Sequence, residues 1–411
     1  MIDGEFLSGT AQMISGACNM AGICDRHRLL LTSITRRLAV EYPVKMDDGT
    51  TVMIKGYRFQ HCDARGPYKG GIRIAVNISE AEVAALSMLM SLKSAVLGLP
   101  YGGAKGGIVA DKEKLSCAEL EQVCRGYIRA IFPVIGPDTD IPAPDMNVSP
   151  EAMGWMMDEY ERMTGRHVPQ IVTGKPLVLG GSRGRVSAVA WGGVFLMEEI
   201  ERRAKNHFRS YAIQGFGNVG GNLAKILAER NKPIVAVSDS KGGTYNENGL
   251  NISALARHKE KTGTVVGFNG GKDITNQDLL ELDVDVLVPA ARENQISERN
   301  ADKINAKILL CLANGPINRQ GSELLGIRDI LVIPDILANG GGVVVSYLEW
   351  AQCRQGFAWR GSEVTQRLKD LMRFAYKNVS ETSREYGKDL YNAAYILGVK
   401  NIVAAMKARS I

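Results

Sequence analysis

Apolar residues in the second half of the chain form short runs that alternate with helical stripes. Runs rich in β-branched and aliphatic residues occupy 211–214, 233–237, 284–288, 308–312 and 330–333. After the first run, residues 218–230 place Val219, Leu223 and Ile226 on one helical face. Strands separated by helices predict a parallel sheet with right-handed crossovers, as in a doubly wound, Rossmann-like domain.

The first 180 residues show a different pattern, in which helices mix with short strands. The glycine-rich stretch 174–193 leads towards a helix, and 362–411 carries apolar residues at helical spacing. A chain of 411 residues is too long for one ordinary domain. We therefore expect an α/β protein with a mixed α/β domain at 1–183 and a Rossmann-like domain at 184–384. A C-terminal helix at about 385–411 can pack back on the first domain.

Composition and charge narrow the class of protein. Apolar residues make up 45% and charged residues 23%, which is typical of a globular core. Lys+Arg exceed Asp+Glu by 50 − 44 = 6, without a long basic run, so no nucleic-acid partner is expected. No uncharged apolar stretch reaches the roughly 18 residues of a membrane span. The N-terminal residues lack signal-peptide features, so we expect a cytoplasmic protein without a membrane partner.

The seven cysteines are scattered and form no CxxC pair. This pattern predicts free thiols in a reducing compartment rather than disulfides or a zinc site. His61, Cys62 and Asp63 are potential metal ligands, but nothing else in the sequence completes a site, so no metal is expected.

Glycine is enriched, at 45 of 411 residues, and some of it lies in a GxGxxG motif, Gly215-Phe-Gly-Asn-Val-Gly220. The motif follows a predicted strand and opens a predicted helix, as in dinucleotide-binding proteins. Gly215 permits the tight turn, Gly217 the approach of a pyrophosphate, and Gly220 close helix packing. Asp239 follows at the spacing of a ribose-binding acid, which favours NAD. Ser240 and Lys241 come next and could receive a 2′-phosphate, so NADP stays open.

Three lysines in the first half indicate an anion-binding site. Ser79-Glu-Ala-Glu82 predicts a capping box before an apolar helix that carries Lys93 on a buried stripe. Lys69 and Lys105 are flanked by glycines, which would let a ligand reach their ammonium groups. A desolvated lysine near other cations has a lowered pKa and can act as an acid or base. Asp145 ends a proline-framed turn, 140–145, that could hold a second acid–base group.

Together these segments resemble the glutamate dehydrogenase family of amino-acid dehydrogenases. The resemblance runs from about Gly56 to Trp350 and is carried by the following motifs. They are Ala64-Arg-Gly-Pro-Tyr-Lys-Gly-Gly-Ile-Arg73, Leu99-Pro-Tyr-Gly-Gly-Ala-Lys-Gly-Gly-Ile108, Thr173-Gly-Lys-Pro176, Gly215-Phe-Gly-Asn-Val-Gly220, Ala313-Asn-Gly-Pro316 and Pro334-Asp-Ile-Leu-Ala-Asn339.

The resemblance implies reversible oxidative deamination of L-glutamate to 2-oxoglutarate and ammonia with NAD or NADP. It also implies a homo-hexamer whose active site lies in a cleft between the domains. Lys105 would polarise the substrate carbonyl and activate water, and Asp145 would move protons to and from the amino group. The α-carboxylate would bind Lys93 and Asn339, and the γ-carboxylate would bind Lys69 and Ser346.

The resemblance also implies the remaining binding residues. Val343 and Ala143 would line the substrate site. The cofactor would be bound by Gly215, Phe216, Gly217, Asn218, Val219, Gly220, Asp239, Ser240, Lys241, Thr173, Ala290 and Asn314. Relatives that act on apolar amino acids are expected to carry an apolar residue in place of Lys69, so Lys69 predicts a dicarboxylate substrate.

Residues 186–191 depart from the family pattern, because the family threonine falls on Val189 and its arginine on Trp191. The threonine hydroxyl is expected to help hold the nicotinamide carboxamide, and the other expected partner, Asn218, is present. Loss of one hydrogen bond costs about 0.5–1.5 kcal/mol, which would weaken turnover without abolishing it.

Two other functions stay open from the sequence. One is a dehydrogenase of leucine, valine or phenylalanine. The other is a non-catalytic, nucleotide-binding regulatory subunit, which the departure at 186–191 motivates and the presence of Lys105 and Asp145 argues against.

Overall fold

The computed structural model describes residues 2–411, and the chain divides into two compact units. The first comprises the residues up to Arg185 with Val343–Val364 and Tyr395–Ile411, and the second comprises Val186–Gly342 and Thr365–Ala394. The predicted two-domain α/β architecture is thus confirmed. Within residues 2–411 no helix has both the length and the apolar character needed to cross a bilayer.

The first unit is built on a five-stranded mixed sheet. Its helices are α1 (Ile2–Met20), α2 (Asp25–Leu31), α3 (Glu80–Val96), α4 (Cys117–Ile131) and α5 (Pro150–Thr164). Its strands are β1 (Arg36–Lys45), β2 (Thr51–Cys62), β3 (Tyr68–Ile74), β4 (Gly103–Val109) and β5 (Asp140–Pro144). The strand order is β1-β2-β4-β3-β5, and β3 runs parallel to both of its neighbours. The hydrophobic core of this unit includes Ile72 of β3, Tyr127 of α4 and Met153 of α5.

The second unit is built on a seven-stranded sheet. Its helices are α6 (Ala188–Ala204), α7 (Asn218–Glu229), α8 (Ile252–Thr262), α9 (Asn276–Leu280), α10 (Arg319–Ile327) and α11 (Asp335–Ala338). Its strands are β6 (Tyr211–Gln214), β7 (Ile234–Asp239), β8 (Gly242–Tyr245), β9 (Lys272–Ile274), β10 (Val286–Pro289), β11 (Ile308–Leu310) and β12 (Leu331–Ile333). The order is β12-β11-β10-β6-β7-β8-β9, and the strands from β12 to β7 are parallel, as the sequence predicted.

The last two strands of that order correct the prediction of an all-parallel sheet. Both β8 and β9 pair in antiparallel fashion at one edge. They are only four and three residues long, and β8 begins with two glycines, so neither has the apolar run that marks a strand in the sequence.

The remaining helices complete both units. They are α12 (Gly341–Gln355), α13 (Gly361–Tyr386) and α14 (Leu390–Ala408). Most of α12 and of α14 belongs to the first unit, and most of α13 to the second. Short 3₁₀ turns lie at Lys112–Lys114, Phe132–Val134, Pro169–Ile171, Leu177–Leu179 and Ala301–Lys303.

The segment predicted as a proline-framed turn is a strand. Residues Asp140–Pro144 form β5, parallel to β3, and Asp145 follows at its carboxyl end. Proline cannot donate a ladder hydrogen bond, so it is tolerated in a strand mainly at a sheet edge. The edge position of β5 explains how Pro142 and Pro144 fit within it.

The glycines beside Lys69 and Lys105 lie inside strands rather than in ligand-binding turns. A Cβ added at Gly70 would lie 1.5 Å from the carbonyl oxygen of Ala104. A Cβ added at Gly103 would lie 2.3 Å from the backbone nitrogen of Ser91 in α3. These glycines therefore let β3, β4 and α3 approach more closely than any side chain would allow.

We expect Gly70→Ala to lower the free energy of unfolding by about 2–3 kcal/mol, because the new methyl group would overlap backbone that cannot rotate away. Gly16→Ala in α1 is the control, since no heavy atom of residues 2–411 lies within 4 Å of the added Cβ, and alanine favours a helix by up to about 1 kcal/mol. Denaturant unfolding of both variants measures the difference, and equal stabilities would contradict the assigned close approach.

Candidate active site

Lys105 and Asp145 meet within the sheet of the first unit. Lys105 lies in β4, and Asp145 follows β5, with β3 between the two strands. The Lys105 ammonium donates to Asp145 Oδ2 in a close ion pair. A Cβ at Gly71 of β3 would lie 2.8 Å from the Asp145 Cβ, so a glycine there leaves the room in which Asp145 crosses towards Lys105.

Burial and neighbouring charges perturb both groups. Burial lowers the pKa of Lys105 to about 8 against the raising effect of Asp145, and the cations Arg73 and Lys93 lower it further. Burial acts to raise the pKa of Asp145, but Lys105 and Arg73 outweigh it and hold that pKa well below its usual range. Near neutrality Lys105 can therefore exchange a proton while Asp145 is ionised.

Arg73 is a member of this cluster that the sequence analysis did not single out. Its Nε donates to Asp145 Oδ2 at 2.9 Å, and its Nη1 donates to Glu82 Oε1 at 2.7 Å. Glu82 is therefore not the second half of a capping box: Ser79 Oγ accepts from the Glu82 backbone, but the Glu82 carboxylate turns to Arg73. The predicted capping box is half wrong because an ion pair competes for that carboxylate.

Lys69 is almost fully buried, and its hydrogen-bond acceptors are neutral. Its Nζ donates to Thr173 Oγ1 at 2.7 Å and to the carbonyl oxygens of Ile141 and Pro142 at 3.1 and 3.4 Å. Burial, and then the Arg58 cation, hold its pKa well below the usual range. Thr173, expected among the cofactor residues, thus contacts Lys69 in this structure.

A buried ion pair holds β5 in place beside β3. Arg58 Nε donates to Asp140 Oδ2 at 2.8 Å and Nη2 to Oδ1, and neither side chain is exposed. Gln60 donates to the same carboxylate at 2.7 Å. Because Asp140 begins the strand that ends at Asp145, this pair helps to set the position of Asp145.

Helix α12 carries Ser346, one of the two residues expected at the γ-carboxylate, and Lys69 lies in β3. Glu349 accepts from Gly174 N at 3.0 Å and from Lys175 Nζ at 2.8 Å, which ties α12 to the segment that contains Thr173. Ser346 is buried one turn before Glu349 on the same helix. Val343 lies in the same helix and Ala143 in β5.

Arg185 is a second residue that the sequence analysis left without a role. Its charge acts on Lys69, and its own pKa is lowered by burial against the carboxylates of Glu349 and Asp145. Among the residues that the structure describes, its buried Nε has no hydrogen-bond partner. Its place in Gly180-Gly-Ser-Arg-Gly-Arg185 was the available signal.

The glycine motif of the second unit has the geometry of a phosphate-binding turn. Gly215 has φ +97°, and a Cβ at Gly220 would lie 1.8 Å from the Gly215 oxygen, so both positions require glycine. Among the residues that the structure describes, none lies within 4 Å of a Cβ at Gly217, and no side chain caps α7, which begins at Asn218. The loop, with Phe216 and Val219, therefore leaves backbone N–H groups open to a pyrophosphate.

Asp239 ends β7 and is followed by Ser240 and Lys241. Its carboxylate accepts from the backbone of Lys241 at 3.0 Å and of Val265 at 2.8 Å, and Lys259 Nζ lies 3.2 Å away. Lys259 also donates to the Phe216 oxygen at 3.0 Å, so it links Asp239 to the glycine loop. A ribose hydroxyl would have to share a carboxylate that already has several donors.

The other residues expected near the dinucleotide follow the carboxyl ends of neighbouring strands. Ala290 follows β10, and a Cβ at Gly215 would lie 3.0 Å from its oxygen. Asn314 follows β11 and accepts from Asn339 Nδ2 at 2.9 Å. Among the described residues, the buried Asn339 Oδ1 has no partner. This edge is where parallel α/β sheets bind their ligands.

The departure at 186–191 is accommodated by aromatic packing. Trp191 packs against Phe195 with ring centroids 5.2 Å apart, and the Arg230 guanidinium lies 4.4 Å from the Trp191 ring. Val189 is half-buried and offers no polar atom in its side chain.

Two family models match the chain. One, described as Glutamate/Leucine/Phenylalanine/Valine dehydrogenase, covers residues 180–410, and its dimerisation-domain counterpart covers 35–162. The cryptic catabolic NAD-specific glutamate dehydrogenase GudB of Bacillus subtilis is 45% identical over 98% of this chain and 96% of its own. The NAD-specific glutamate dehydrogenase of Staphylococcus aureus is 43% identical over 98% of each chain.

Solved structures show the same likeness. The glutamate dehydrogenase of Peptoniphilus asaccharolyticus has a TM-score of 0.87 at 38% identity, covering 98% of this chain and 99% of the other. The hetero-hexameric glutamate dehydrogenase of Thermus thermophilus, in a leucine-bound form, has a TM-score of 0.91 at 35% identity, covering 97% and 96%.

Asp140→Asn should lower the free energy of unfolding by about 3–5 kcal/mol, because it leaves the Arg58 charge buried without its partner. Asp138→Asn is the matched control, since it breaks an ion pair with Arg354 whose side chains are 41% and 69% exposed, worth at most about 1 kcal/mol. Urea unfolding would contradict the role of Asp140 if both variants lost the same stability.

Proposed function

The chain belongs to the Glutamate/Leucine/Phenylalanine/Valine dehydrogenase family, and we propose that it catalyses the reversible, NAD(P)-dependent oxidative deamination of L-glutamate to 2-oxoglutarate and ammonia. The observation that carries the choice of a dicarboxylate is Lys69. Within the part of the chain that the structure describes, its buried ammonium is hydrogen-bonded only to neutral oxygens, and a substrate γ-carboxylate would supply the missing negative charge. The names of the Bacillus and Staphylococcus relatives support the same substrate.

We assign the chemical steps to residues of the first unit. Lys105 in its neutral form takes a proton from the water that attacks the substrate imine, and in its charged form polarises the carbonyl in the reverse direction. Asp145 exchanges protons with the amino group. Lys93 receives the α-carboxylate, and Lys69 with Ser346 and Arg185 receives the γ-carboxylate. A dinucleotide held at the Gly215–Gly220 turn would supply the acceptor for the hydride of the α-carbon.

NAD is the proposed cofactor, with NADP the alternative. The negative Asp239 at the end of β7 disfavours a 2′-phosphate, and the relatives are named NAD-specific. Lys241 and Lys259 nearby are the residues that would favour NADP. We propose residues 184–384 as the nucleotide-binding domain and 1–183 as the substrate-binding and oligomerisation domain.

We further propose a cytoplasmic homo-hexamer. The Thermus relative is described as a hetero-hexamer, so the copies need not be identical in this family. A regulatory subunit is the second candidate, favoured by Val189 and Trp191. Light scattering of the purified chain, combined with assays of glutamate, leucine, valine and phenylalanine with both cofactors, separates these possibilities. An inactive homomer that still binds NADH would favour the regulatory subunit.

Glutamate oxidation should rise with pH and level off above about pH 8, because burial lowers the Lys105 pKa to about 8 and the neutral amine is the base. Lys105→Ala should lower kcat by between about 10² and 10⁴ while NADH binding stays unchanged. Lys114→Ala is the control, since that side chain is 82% exposed. Steady-state kinetics across pH would refute the role if Lys105→Ala kept its turnover.

Lys69→Leu should reduce kcat/KM for glutamate by about 10⁴, because the γ-carboxylate would lose its charged partner in a buried site. Activity towards leucine or norvaline should rise in the same variant. Lys55→Leu, which replaces an exposed lysine of β2, should change neither value. A preference for apolar amino acids in the unaltered protein would overturn the assignment of Lys69.

A further inference from the structure

The start of α3 differs from two other capped helices of this chain. At α4, Ser116 and Glu119 form both hydrogen bonds of a capping box, and at α9 Thr275 and Asp278 do the same. At α3 the serine bond is present, but the Glu82 carboxylate leaves the helix end and binds Arg73. Such a break in a local rule is often found where a residue serves a functional site.

The Glu82 carboxylate, which does not cap α3, belongs to a row of alternating charges. Glu82 Oε1 lies 2.7 Å from Arg73 Nη1, and Arg73 Nε lies 2.9 Å from Asp145 Oδ2. The same Oδ2 receives the Lys105 ammonium. Two cations thus compete for one carboxylate oxygen, and a second carboxylate partly neutralises one of those cations.

We propose that Arg73, held by Glu82, is a positioning residue that orients Asp145 Oδ2 towards Lys105. Arg73 also determines how much of the negative charge of Asp145 acts on Lys105. The Glu82–Arg73 pair thereby sets the charge state of Lys105. This inference rests on the roles proposed above for Lys105 and Asp145.

The physical reason is the effect that Asp145 would have on Lys105 if Arg73 did not share the carboxylate. A buried carboxylate paired with one ammonium stabilises the charged lysine and would remove the base from the reaction. Arg73 draws part of that interaction to itself and keeps Lys105 closer to neutrality. Arginine suits this place because its charge is permanent and its fork reaches two carboxylates at once.

The other charged groups that act on Lys105 and Asp145 are the same in every Arg73 and Glu82 variant. Lys93 of α3 acts on Lys105, and Arg185 acts on Asp145. Neither is altered when Arg73 or Glu82 is replaced. The shifts between variants therefore report on the Glu82–Arg73 pair.

The test compares Arg73→Gln, Glu82→Gln and Arg73→Lys in the full-length protein. Removing the Arg73 cation should move the midpoint of Lys105 deprotonation, and the acid limb of kcat/KM for glutamate oxidation, up by about one pH unit. Removing the Glu82 anion leaves Arg73 uncompensated and should move both midpoints down by a smaller amount. Arg73→Lys, which keeps the charge, should return them close to the parent values.

Two readouts are needed, the pH profile of glutamate oxidation and the pH dependence of Lys105 labelling by trace acetic anhydride, read by mass spectrometry. Arg129→Gln is the control, because it removes a cation from an ion pair with Glu159 in the same unit and should leave the midpoint unchanged. If the role of Arg73 were purely structural, Arg73→Gln and Glu82→Gln would lower activity without moving the pH midpoints in opposite directions.

Unchanged labelling midpoints, or midpoints that move in the same direction in Arg73→Gln and Glu82→Gln, would overturn the inference. Failure of the proposed reaction has a different signature, because the unaltered protein would then show no glutamate turnover, and failure of the role of Lys105 would appear as turnover that survives in Lys105→Ala. Labelling reads the charge of Lys105 directly, so the two failures are distinguishable.

Discussion

The contact between Lys105 and Asp145 is the point at which the strand order, a glycine and a second ion pair of the first unit combine. The two residues belong to β4 and to the end of β5, and they meet across β3 beside Gly71, where an added Cβ would lie 2.8 Å from the Asp145 Cβ. The buried Arg58–Asp140 pair holds the beginning of β5. The position of one carboxylate thus depends on strand order, on a glycine and on a second ion pair.

Charge burial is the recurring cost of this arrangement. Lys69, Arg58 and Lys175 all have almost no exposed surface, and each is hydrogen-bonded to carboxylates or to backbone and side-chain oxygens. Buried ions are tolerated when they are fully bonded. Of these three cations, Lys69 is the one that is hydrogen-bonded to no carboxylate of the described residues, and the proposed function uses it to select a dicarboxylate substrate, since an apolar ligand would leave its charge without compensation.

The dinucleotide motif was predictable because its chemistry depends on neighbours in the sequence. Gly215, Gly217 and Gly220 act through backbone shape and the start of α7, and their spacing between a predicted strand and a predicted helix indicates both. The strand at 140–144 was not predictable, because its prolines fit only at a sheet edge and the sequence does not show which strand lies at the edge. The glycines around Lys69 and Lys105 indicated a close approach, and the structure shows that β4 and α3 are approaching groups.

The sequence by itself determined the alternation of strands and helices, the glycine turn and the presence of three lysines suited to anions. These follow from local periodicity and from residue chemistry. Only the tertiary structure decided that Arg73 links Glu82 to Asp145, that Lys69 donates to Thr173, and that the charge of Arg185 acts on Lys69 and Asp145. Those contacts join residues whose spacing in the chain carries no periodic signal, because strand order brings them together.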